Sequence, residues 1–293
     1  MKPLREYLSP ESLDAHIRRS LDEDFGTGPE AGDHSSLAAH DNDNQRIAQL
    51  KAKEPLVFAG VEVADRVLNA VSPALQATWM VADGDALEAG SIAAEVRGPL
   101  RDLLGAERSL LNYVQRLSGV ATVARSYAQC VADLPCQLLD TRKTTPGWRA
   151  LEKWAVQVGG ARNHRVGLHD MVMLKDNHVD LAGGITAAVE RTERYLREKG
   201  LVRAVEVECR TLDEVREALS LPRVDRIMLD NFTPEQCREA VAMNAGQKEL
   251  EASGGITLGT LRQFAETGVD FISVGALTHS APAVDLNFKA RRC

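Results

Sequence analysis

Basic side chains concentrate in one short part of this chain. Arg142 and Lys143 directly follow the apolar run Gln137–Leu139, and the turn sequence Thr-Thr-Pro-Gly comes next. Two further basic clusters follow at residues 164–165 and 175–178. Guanidinium and ammonium groups bind the oxygens of carboxylates and phosphates. The sequence therefore predicts a pocket for a small ligand that carries several negative charges.

Polar residues end each of six apolar runs that are typical of buried strands. The carboxyl ends of parallel strands form the active-site face of an α/β barrel, so these residues are predicted to meet there. From the first run to the last they are Arg142 and Lys143, Lys175, Glu208, Asp230, Ser253 with Gly254 and Gly255, and Gly275. His164 and Arg165 precede the second run and are predicted to join the same set.

Two of the strand ends are acidic, which predicts a site for a divalent cation. Glu208 and Asp230 lie about one strand–helix unit apart. Mg²⁺ takes one or two carboxylates together with ligand phosphate and water. Glu206 competes for the role, because alternate residues of a strand point to the same face. The other interpretation is that strand-end acids cap the helices that follow.

Glycine-rich segments after the last two strands predict contacts to phosphate. Ser253, Gly254 and Gly255 precede a helix start, where backbone N–H groups can approach an anion closely. Gly275 follows the next strand. Barrel proteins often bind phosphate at the loops after their last two strands, although Ser-Gly-Gly alone is more often only a turn.

The basic residues allow other interpretations. An isolated Arg-Lys pair is typical of a solvated surface, but here the preceding strand and the following turn favour a pocket. His164, His169 and His178 suggest a metal set, yet their spacing matches no common zinc site. Lys175 could reach solvent from its strand end, or form a Schiff base in an aldolase-like barrel.

The order of elements indicates an α/β fold in the second half of the chain. Apolar runs alternate there with amphipathic helices, which is typical of a parallel sheet. Six strands predict a barrel or near-barrel, with a doubly wound open sheet as the alternative. The predicted strands are Gln137–Leu139, Met171–Leu174, Ala204–Val207, Arg226–Leu229, Glu249–Ala252 and Phe271–Val274. The predicted helices are Ile185–Lys199, Leu212–Leu219, Pro234–Met243 and Leu258–Thr267.

The first half of the chain predicts an α+β unit. Short strand-like runs lie between residues 47 and 96, with a helix at Glu62–Val71 between them. A long helix is predicted over residues 106–134, and Gly119 is expected to bend it or split it in two. Residues 26–44 are rich in Gly, Asp, His, Ser and Asn and predict a long loop.

Composition and charge limit the class of protein. A formal net charge of −7 argues against nucleic acid as the main partner. Five cysteines without a Cys-x-x-Cys pair are typical of reduced thiols, which predicts a cytoplasmic protein. The sequence has no apolar segment long enough to span a membrane, and the N-terminus does not resemble a signal peptide.

Seven motifs together resemble the quinolinate phosphoribosyltransferase family. They are LLDTRKTTPG, GGARNHR, KDNH, VEVE, MLDNF, EASGGI and SVGALTHSAPAVDLNFK. The resemblance implies an N-terminal α+β sandwich domain, residues 1–115 joined by residues 277–293. It also implies an incomplete α/β barrel over residues 116–276, and a homodimer or a larger assembly of dimers.

The resemblance also implies roles for individual residues. The set that matches quinolinate binding comprises Arg142, His164, Arg165 and Lys175, with Arg108 donated by the neighbouring subunit. The set that matches phosphoribosyl pyrophosphate and Mg²⁺ comprises Lys143, Glu208, Asp230, Ser253, Gly254, Gly255 and Gly275. The residues predicted to be catalytic are Lys143, Lys175, Glu208 and Asp230, of which Glu208 and Asp230 hold the metal.

The implied activity is the transfer of phosphoribosyl from phosphoribosyl pyrophosphate to quinolinate with decarboxylation. The products are nicotinate mononucleotide, pyrophosphate and CO₂, a step of NAD biosynthesis. Two rivals are a related phosphoribosyltransferase for another carboxylated ring and a non-catalytic barrel that senses phosphorylated metabolites. The chain departs from the usual motifs at Ala161, at Trp148 and in the long 26–44 segment. None of these departures is a predicted charged ligand residue.

Overall fold

The computed structural model describes residues 2–40 and 44–291. The chain divides into two compact units. The first comprises residues 1–125, 150–160 and 281–293, and the second comprises residues 126–149 and 161–280. The domain limits given above stay a prediction.

The helices and strands follow in chain order. After a 3₁₀ turn at Leu4–Glu6 come α1 (Pro10–Phe25), α2 (His34–Ala39), β1 (Gln45–Ala52), β2 (Leu56–Val57), α3 (Val61–Val71), β3 (Gln76–Trp79), β4 (Ala86–Leu87), β5 (Ile92–Pro99) and α4 (Leu100–Cys130). Then come β6 (Gln137–Leu139), α5 (Arg149–Gly159), β7 (Val172–Leu174), α6 (Asp176–Ala182), α7 (Ile185–Lys199), β8 (Val205–Cys209), α8 (Leu212–Leu219), β9 (Arg226–Asp230), α9 (Pro234–Asn244), β10 (Glu249–Ser253), α10 (Leu258–Ala265), β11 (Phe271–Ser273), α11 (Ala276–His279) and β12 (Leu286–Arg291).

The second unit contains a parallel sheet of six strands in the order β6-β11-β10-β9-β8-β7. Among the described residues, β6 and β7 end this order, and the outer edge of β6 carries one further parallel bridge, Leu139 to Arg162. The predicted α/β fold with an incomplete barrel is confirmed. All six strands in this sheet form where the apolar runs predicted them, and helices separate them along the chain.

The first unit contains an antiparallel sheet in the order β12-β1-β5-β3. Its centre is strand β1, whose Ala48, Leu50 and Ala52 are fully buried. Leu50 lies opposite Phe288 of β12, so residues near the C-terminus complete the core of this sheet. These three residues alternate along the strand and therefore share one face, which packs inward.

The predicted 26–44 loop contains a helix, α2, so the loop prediction is wrong for that part. Asp33 caps the helix, because its carboxylate accepts a hydrogen bond from the Ser36 N–H at 3.1 Å and another from the Ser36 hydroxyl. A local cap of this kind stabilises a short helix that composition alone does not indicate. Residues 41–43 of the predicted loop lie outside the described residues.

Helix α4 is continuous from Leu100 to Cys130, so the predicted split at Gly119 is wrong. Gly119 instead allows close packing with the backbone of Pro282. A Cβ at residue 119 would collide with the Pro282 carbonyl oxygen and lie 3.2 Å from the Cα of Ala283. Glycine is therefore required here, because the colliding atoms belong to the backbone and cannot move aside as a flexible side chain could.

Substituting Gly119 by alanine is expected to destabilise the protein by roughly 1–3 kcal/mol, the usual cost of overpacking a tight interior. Gly259 in α10 is a matched control, because a Cβ there would meet only the Thr257 hydroxyl, at 3.9 Å. The Gly259→Ala variant is expected to be as stable as the parent or slightly more stable, since alanine favours helix. Thermal unfolding midpoints of both variants compare the two sites; equal midpoints would contradict the steric argument.

None of the described helices combines the length and the apolar character needed to cross a membrane.

Candidate active site

A cavity of about 670 Å³ opens at the carboxyl ends of the six parallel strands. Among the described residues, its lining comes from the second unit. The structure brings together in this lining the predicted residues Arg142, Lys143, His164, Arg165, Lys175, Glu208, Asp230, Ser253, Gly254, Gly255 and Gly275. Most of these residues meet because they follow strands of the same sheet. His164 and Arg165 instead follow the parallel bridge between Leu139 and Arg162 at the edge of β6.

Arg108, the remaining residue of the predicted set, lies elsewhere. It is exposed on α4 in the first unit and, among the described residues, does not line the cavity. Its predicted role in a neighbouring subunit's site stays a prediction.

Asp140 fixes the loops that carry the two arginines. This fully buried carboxylate follows β6 and accepts hydrogen bonds from Asn163 Nδ2 at 2.7 Å and from the His164 N–H at 2.9 Å. The segment after β6, which bears Arg142, is thereby tied to the segment that bears Arg165. The two loops hold fixed positions before any ligand arrives.

The two arginines form a cationic wall of the cavity. Burial lowers the pKa of Arg165, and the positive charge of Arg142 lowers it further. The Nε of Arg142 is buried and has no hydrogen-bond partner among the described residues. Because like charges and an unused buried donor are unfavourable on their own, the arrangement favours a bound carboxylate or phosphate.

Lys143 and Gly275 meet across the loops after β6 and β11. The Thr278 hydroxyl donates a hydrogen bond to the Lys143 carbonyl at 2.8 Å. A Cβ at residue 275 would lie 3.1 Å from Lys143 Cδ and 2.9 Å from the His279 ring. Glycine at 275 therefore leaves room for the lysine side chain to extend along the cavity wall.

Lys175 stands at the start of α6, immediately after β7. Its backbone N–H donates to His178 Nδ1 at 3.0 Å, which fixes the start of the helix. The side chain is exposed and lines the cavity. Lys175 was predicted either to reach solvent from its strand end or to point into a pocket. Both descriptions apply, because the side chain is exposed and also lines the cavity.

Glu208 and Asp230 supply the acidic part of the cavity from the ends of adjacent strands. Burial raises the pKa of Glu208, and the negative charge of Asp230 raises it further. The Asp176 N–H approaches Glu208 Oε1 at 3.4 Å. Two carboxylates that repel each other beside a cavity fit a divalent cation, which would relieve the repulsion.

The Ser253-Gly254-Gly255 segment turns sharply after β10. Gly254 and Gly255 have φ angles of +101° and +62°, which favour glycine. A Cβ at residue 254 would collide with the Asn231 side chain and lie 2.9 Å from the Asn231 backbone nitrogen. The Asn231 N–H donates to the Ser253 carbonyl at 2.9 Å and joins this turn to the loop that carries Asp230.

His164 belongs to a buried charged cluster beside the cavity. Its Nε2 lies 3.0 Å from Glu206 Oε2 and 3.2 Å from Glu251 Oε2, and both glutamates are fully buried. Arg226 Nη1 lies 3.2 Å from the same Glu251 oxygen. Two carboxylates and two basic groups thus balance each other's charge.

The protonation of this cluster follows from burial and from its mutual contacts. Burial alone would lower the pKa of His164, but its contacts with Glu206 and Glu251 outweigh burial and raise the pKa to about 9. Burial raises the pKa of Glu206, and repulsion from Glu251 raises it further. Burial opposes ionisation of Glu251 as well, but the contact with His164 outweighs it and lowers the pKa of this carboxyl.

The second ring nitrogen of His164 has a competing contact. The Arg165 N–H donates to His164 Nδ1 at 2.8 Å, which suits a ring that is protonated at Nε2 alone. A proton at Nδ1 would set two N–H donors against each other in place of that hydrogen bond, whereas the two buried carboxylates near Nε2 favour the charged ring. The contacts of Nε2 therefore favour the imidazolium, whereas the contact of Nδ1 favours the neutral ring.

The cluster is a poor metal site despite its composition. The possible ligand atoms of His164, Glu206 and Glu251 lie within 4.8 Å of one another. Nε2 carries a proton in either state of the ring, however, so it offers no lone pair to a metal. Arg226 already supplies a second positive charge. His169 and His178, which the sequence groups with His164, are exposed.

Family models match both parts of the chain. Residues 33–118 match quinolinate phosphoribosyl transferase, N-terminal domain, and residues 120–289 match the C-terminal domain of the same family. The chain belongs to the quinolinate phosphoribosyltransferase family. The resemblance predicted from the seven motifs is confirmed.

Members of the quinolinate phosphoribosyltransferase family from several organisms are similar along most of their length. A chloroplastic nicotinate-nucleotide pyrophosphorylase (carboxylating) from Arabidopsis thaliana is 44% identical over 291 residues, covering 94% of this chain and 82% of that protein. A probable nicotinate-nucleotide pyrophosphorylase from Synechocystis sp. is 40% identical, covering 96% and 93%. The solved nicotinate-nucleotide pyrophosphorylase from Francisella tularensis is 36% identical with a TM-score of 0.89, covering 99% and 98%.

Two residues of the buried cluster in this quinolinate phosphoribosyltransferase family member, Glu251 and Arg226, are not among the predicted site residues. They lie in the predicted strands Glu249–Ala252 and Arg226–Leu229, although Glu251 is also the first residue of the motif EASGGI. An available signal was the position of Glu251 two residues before Ser253, because alternate strand residues share a face. A charged residue inside a buried strand needs a partner, and that requirement points to a second charged strand residue.

Proposed function

We propose that the protein transfers phosphoribosyl from phosphoribosyl pyrophosphate to quinolinate, with release of pyrophosphate and CO₂. The observation that carries the proposal is the meeting of Arg142, Lys143, Arg165 and Lys175 with two acids in one cavity. Quinolinate has two carboxylates and the phosphoribosyl donor carries several further negative charges. A cavity with this many cations in a net acidic chain suits such a pair of ligands.

In this proposal the cations divide into two groups. Arg142, Arg165 and Lys175, with the imidazolium of His164 nearby, bind the two carboxylates of quinolinate. Lys143 and the glycine turns after β10 and β11 bind the phosphates of the donor, where backbone N–H groups can approach closely. In this proposal Lys143 therefore lies on the side of the phosphoribosyl donor, and Lys175 lies on the side of quinolinate.

Catalysis then depends on positioning and on electrostatics. The pyridine nitrogen forms a bond to the anomeric carbon while the bond from that carbon to pyrophosphate breaks, through an oxocarbenium-like state. The carboxylates of Glu208 and Asp230 favour the positive charge that develops there. The ring nitrogen becomes cationic and stabilises the electron pair left when the neighbouring carboxylate departs as CO₂. A proton then replaces the carboxylate on the ring carbon.

Glu208 and Asp230 are the residues that would hold Mg²⁺, which neutralises charge on the leaving pyrophosphate when bound. Both line the cavity, whereas Glu206 is fully buried against His164. The geometry therefore favours Glu208 over Glu206 for this role.

The Glu208→Gln variant is expected to need about tenfold more Mg²⁺ for half-maximal turnover, because a charged ligand becomes neutral. The Glu206→Gln variant is expected to keep the Mg²⁺ dependence of the parent, since this side chain is fully buried against His164 and, among the described residues, is not part of the cavity lining. Titrating Mg²⁺ in a turnover assay compares the two variants. The reverse order would assign the metal to Glu206.

The proposed activity is tested by supplying quinolinate, phosphoribosyl pyrophosphate and Mg²⁺ and measuring CO₂ and nicotinate mononucleotide together. Nicotinate in place of quinolinate is the control, because it lacks the second carboxylate. Turnover of nicotinate alone would favour a phosphoribosyltransferase for another carboxylated ring. Absence of pyrophosphate release with either ring would favour a metabolite sensor.

We also propose a homodimer, or a larger assembly of dimers, in which Arg108 serves the partner's site. Its exposure on α4 supports this, because a buried arginine could not reach a second chain. A cytoplasmic location is proposed from the free thiols at Cys130, Cys136, Cys209 and Cys237. The fifth cysteine, Cys293, lies outside the described residues.

A further inference from the structure

Glu251 is a carboxylate on the border of a cavity that gathers cations. A free negative charge there would repel an anionic ligand, so the residue needs a different explanation. Its Oε2 lies 3.2 Å from His164 Nε2 and 3.2 Å from Arg226 Nη1. The side chain therefore lies between two basic groups of the protein. Their positive charges reduce the repulsion that the carboxylate would exert on an anion in the cavity.

Arg226 holds this carboxylate from the adjacent strand. Its guanidinium contacts Glu251 on the buried side and Glu249 Oε2 at 2.9 Å on the exposed side. It also lies 4.0 Å above the ring of Phe271, a cation–π distance. The contacts with Glu249 and Phe271 hold the guanidinium in place. The guanidinium in turn holds the Glu251 carboxylate.

We propose that Glu251, anchored by Arg226, is a positioning residue that holds His164 with Nε2–H turned into the sheet and its positive charge beside the anion cavity. The proposal rests on the proposed function, because it explains how one of the cations assigned to quinolinate is kept in place. Glu251 acts through His164 and does not itself touch the ligand.

Charged groups face His164 from several neighbouring elements. They are Glu206 on β8, Arg226 on β9, Glu251 on β10, Asp140 after β6 and Arg165 in the same loop. Asp140 binds the backbone N–H of His164 rather than its ring. The glutamates therefore set the orientation of the ring. Among the described residues, Glu251 is the one of the two that also forms an ion pair with Arg226, at 3.2 Å.

Glutamine at 251 keeps the size of the side chain and removes its charge. The Glu251→Gln variant is expected to raise the KM for quinolinate about tenfold, the effect of losing one charge-assisted contact. The KM for phosphoribosyl pyrophosphate should stay at the parent value. The kcat should fall less than about threefold, because the lost contact weakens binding of quinolinate in the ground state and in the transition state equally. Ring-nitrogen NMR at neutral pH should show His164 changing from the imidazolium pattern to the neutral pattern.

Glu249→Gln is the matched control. It removes a carboxylate from the same strand and the same Arg226, but Glu249 lies outside the contacts of His164. This variant should keep the parent KM values and the imidazolium signals. If the two variants gave the same KM values and the same ring-nitrogen signals, the proposal would be overturned. The effect of Glu251→Gln would then come from its contact with Arg226 and not from its contact with His164.

A double-mutant cycle tests whether Glu251 acts through His164. Adding Glu251→Gln to a His164→Gln variant should leave the KM for quinolinate unchanged from that of His164→Gln alone. A further rise would show an independent effect of Glu251 and contradict the positioning role. If Glu251→Gln does not fold, the spectrum of the parent protein still decides, since a neutral His164 ring there overturns the proposal.

The outcomes also separate this proposal from the proposed function. If the parent protein does not turn over quinolinate, the proposed function fails. The ring-nitrogen signals of the parent, Glu251→Gln and Glu249→Gln proteins would still establish or refute the control of His164 by Glu251.

Discussion

Replacing Arg142 by alanine is expected to weaken quinolinate binding at least about 100-fold, because each charge-assisted hydrogen bond contributes roughly 1.5–3 kcal/mol. Arg142 lines the cavity, and its buried Nε has no partner among the described residues, so the guanidinium is available to a ligand. Isothermal titration calorimetry with quinolinate measures the loss. The fold should survive, since that Nε makes no hydrogen bond within the described part of the chain.

Two comparison variants make the Arg142 result specific. Arg262→Ala removes a guanidinium that pairs with Asp133 and Glu266 on the surface and should leave quinolinate affinity unchanged. Arg142→Lys keeps the charge but loses the planar pair of donors, so it should recover only part of the affinity. Parent-like affinity of Arg142→Ala would remove this residue from the quinolinate site.

Mixing two inactive variants is expected to restore activity if neighbouring subunits share the site. Lys175→Ala damages the cavity of its own chain, whereas Arg108→Ala would damage the cavity of the partner. In a mixed dimer one site then carries both changes and the other carries neither. Random mixing should return about one quarter of parent activity, since half of the dimers are mixed and each has one intact site.

The matched control for this experiment mixes Lys175→Ala with Arg142→Ala. Both residues line the same cavity of one chain, so each site of a mixed dimer carries one defect and activity should stay absent. Restoration in the first mixture alone supports a shared site. Subunit exchange is measured separately with two affinity tags. If the chains exchange and neither mixture regains activity, Arg108 does not contribute to the site of a partner.

The parallel sheet and the cavity lining were predictable because they follow from a local rule. Each apolar run fixes a strand, and the next polar residue falls at the carboxyl end of that strand. That rule placed Arg142, Lys175, Glu208 and Asp230 in one lining without knowledge of their distances. The positions of Gly254 and Gly255 followed from the same rule, and the structure adds that both have positive φ.

Features that depend on partners distant in sequence were harder to predict. Helix α5 was not predicted, and the burial of Glu152 on it depends on a distant partner, Arg116 of α4, at 2.6 Å. The role of Gly119 depends on the Pro282 backbone, and the role of Glu251 depends on Arg226 and His164. Local patterns do not identify such pairs, because spacing along the chain does not encode which strand lies beside which.

The pairing of β12 with β1 bears on how the protein is made in the cell. Asp285 donates its backbone N–H to Glu54 Oε1, and these residues stand 231 positions apart. The antiparallel sheet of the first unit therefore lacks an edge strand until the ribosome has synthesised residues 286–291. The first strands of this unit are synthesised before the second unit, but its sheet is completed only after it. Until then β1 presents an open strand edge, a feature that favours aggregation of a nascent chain.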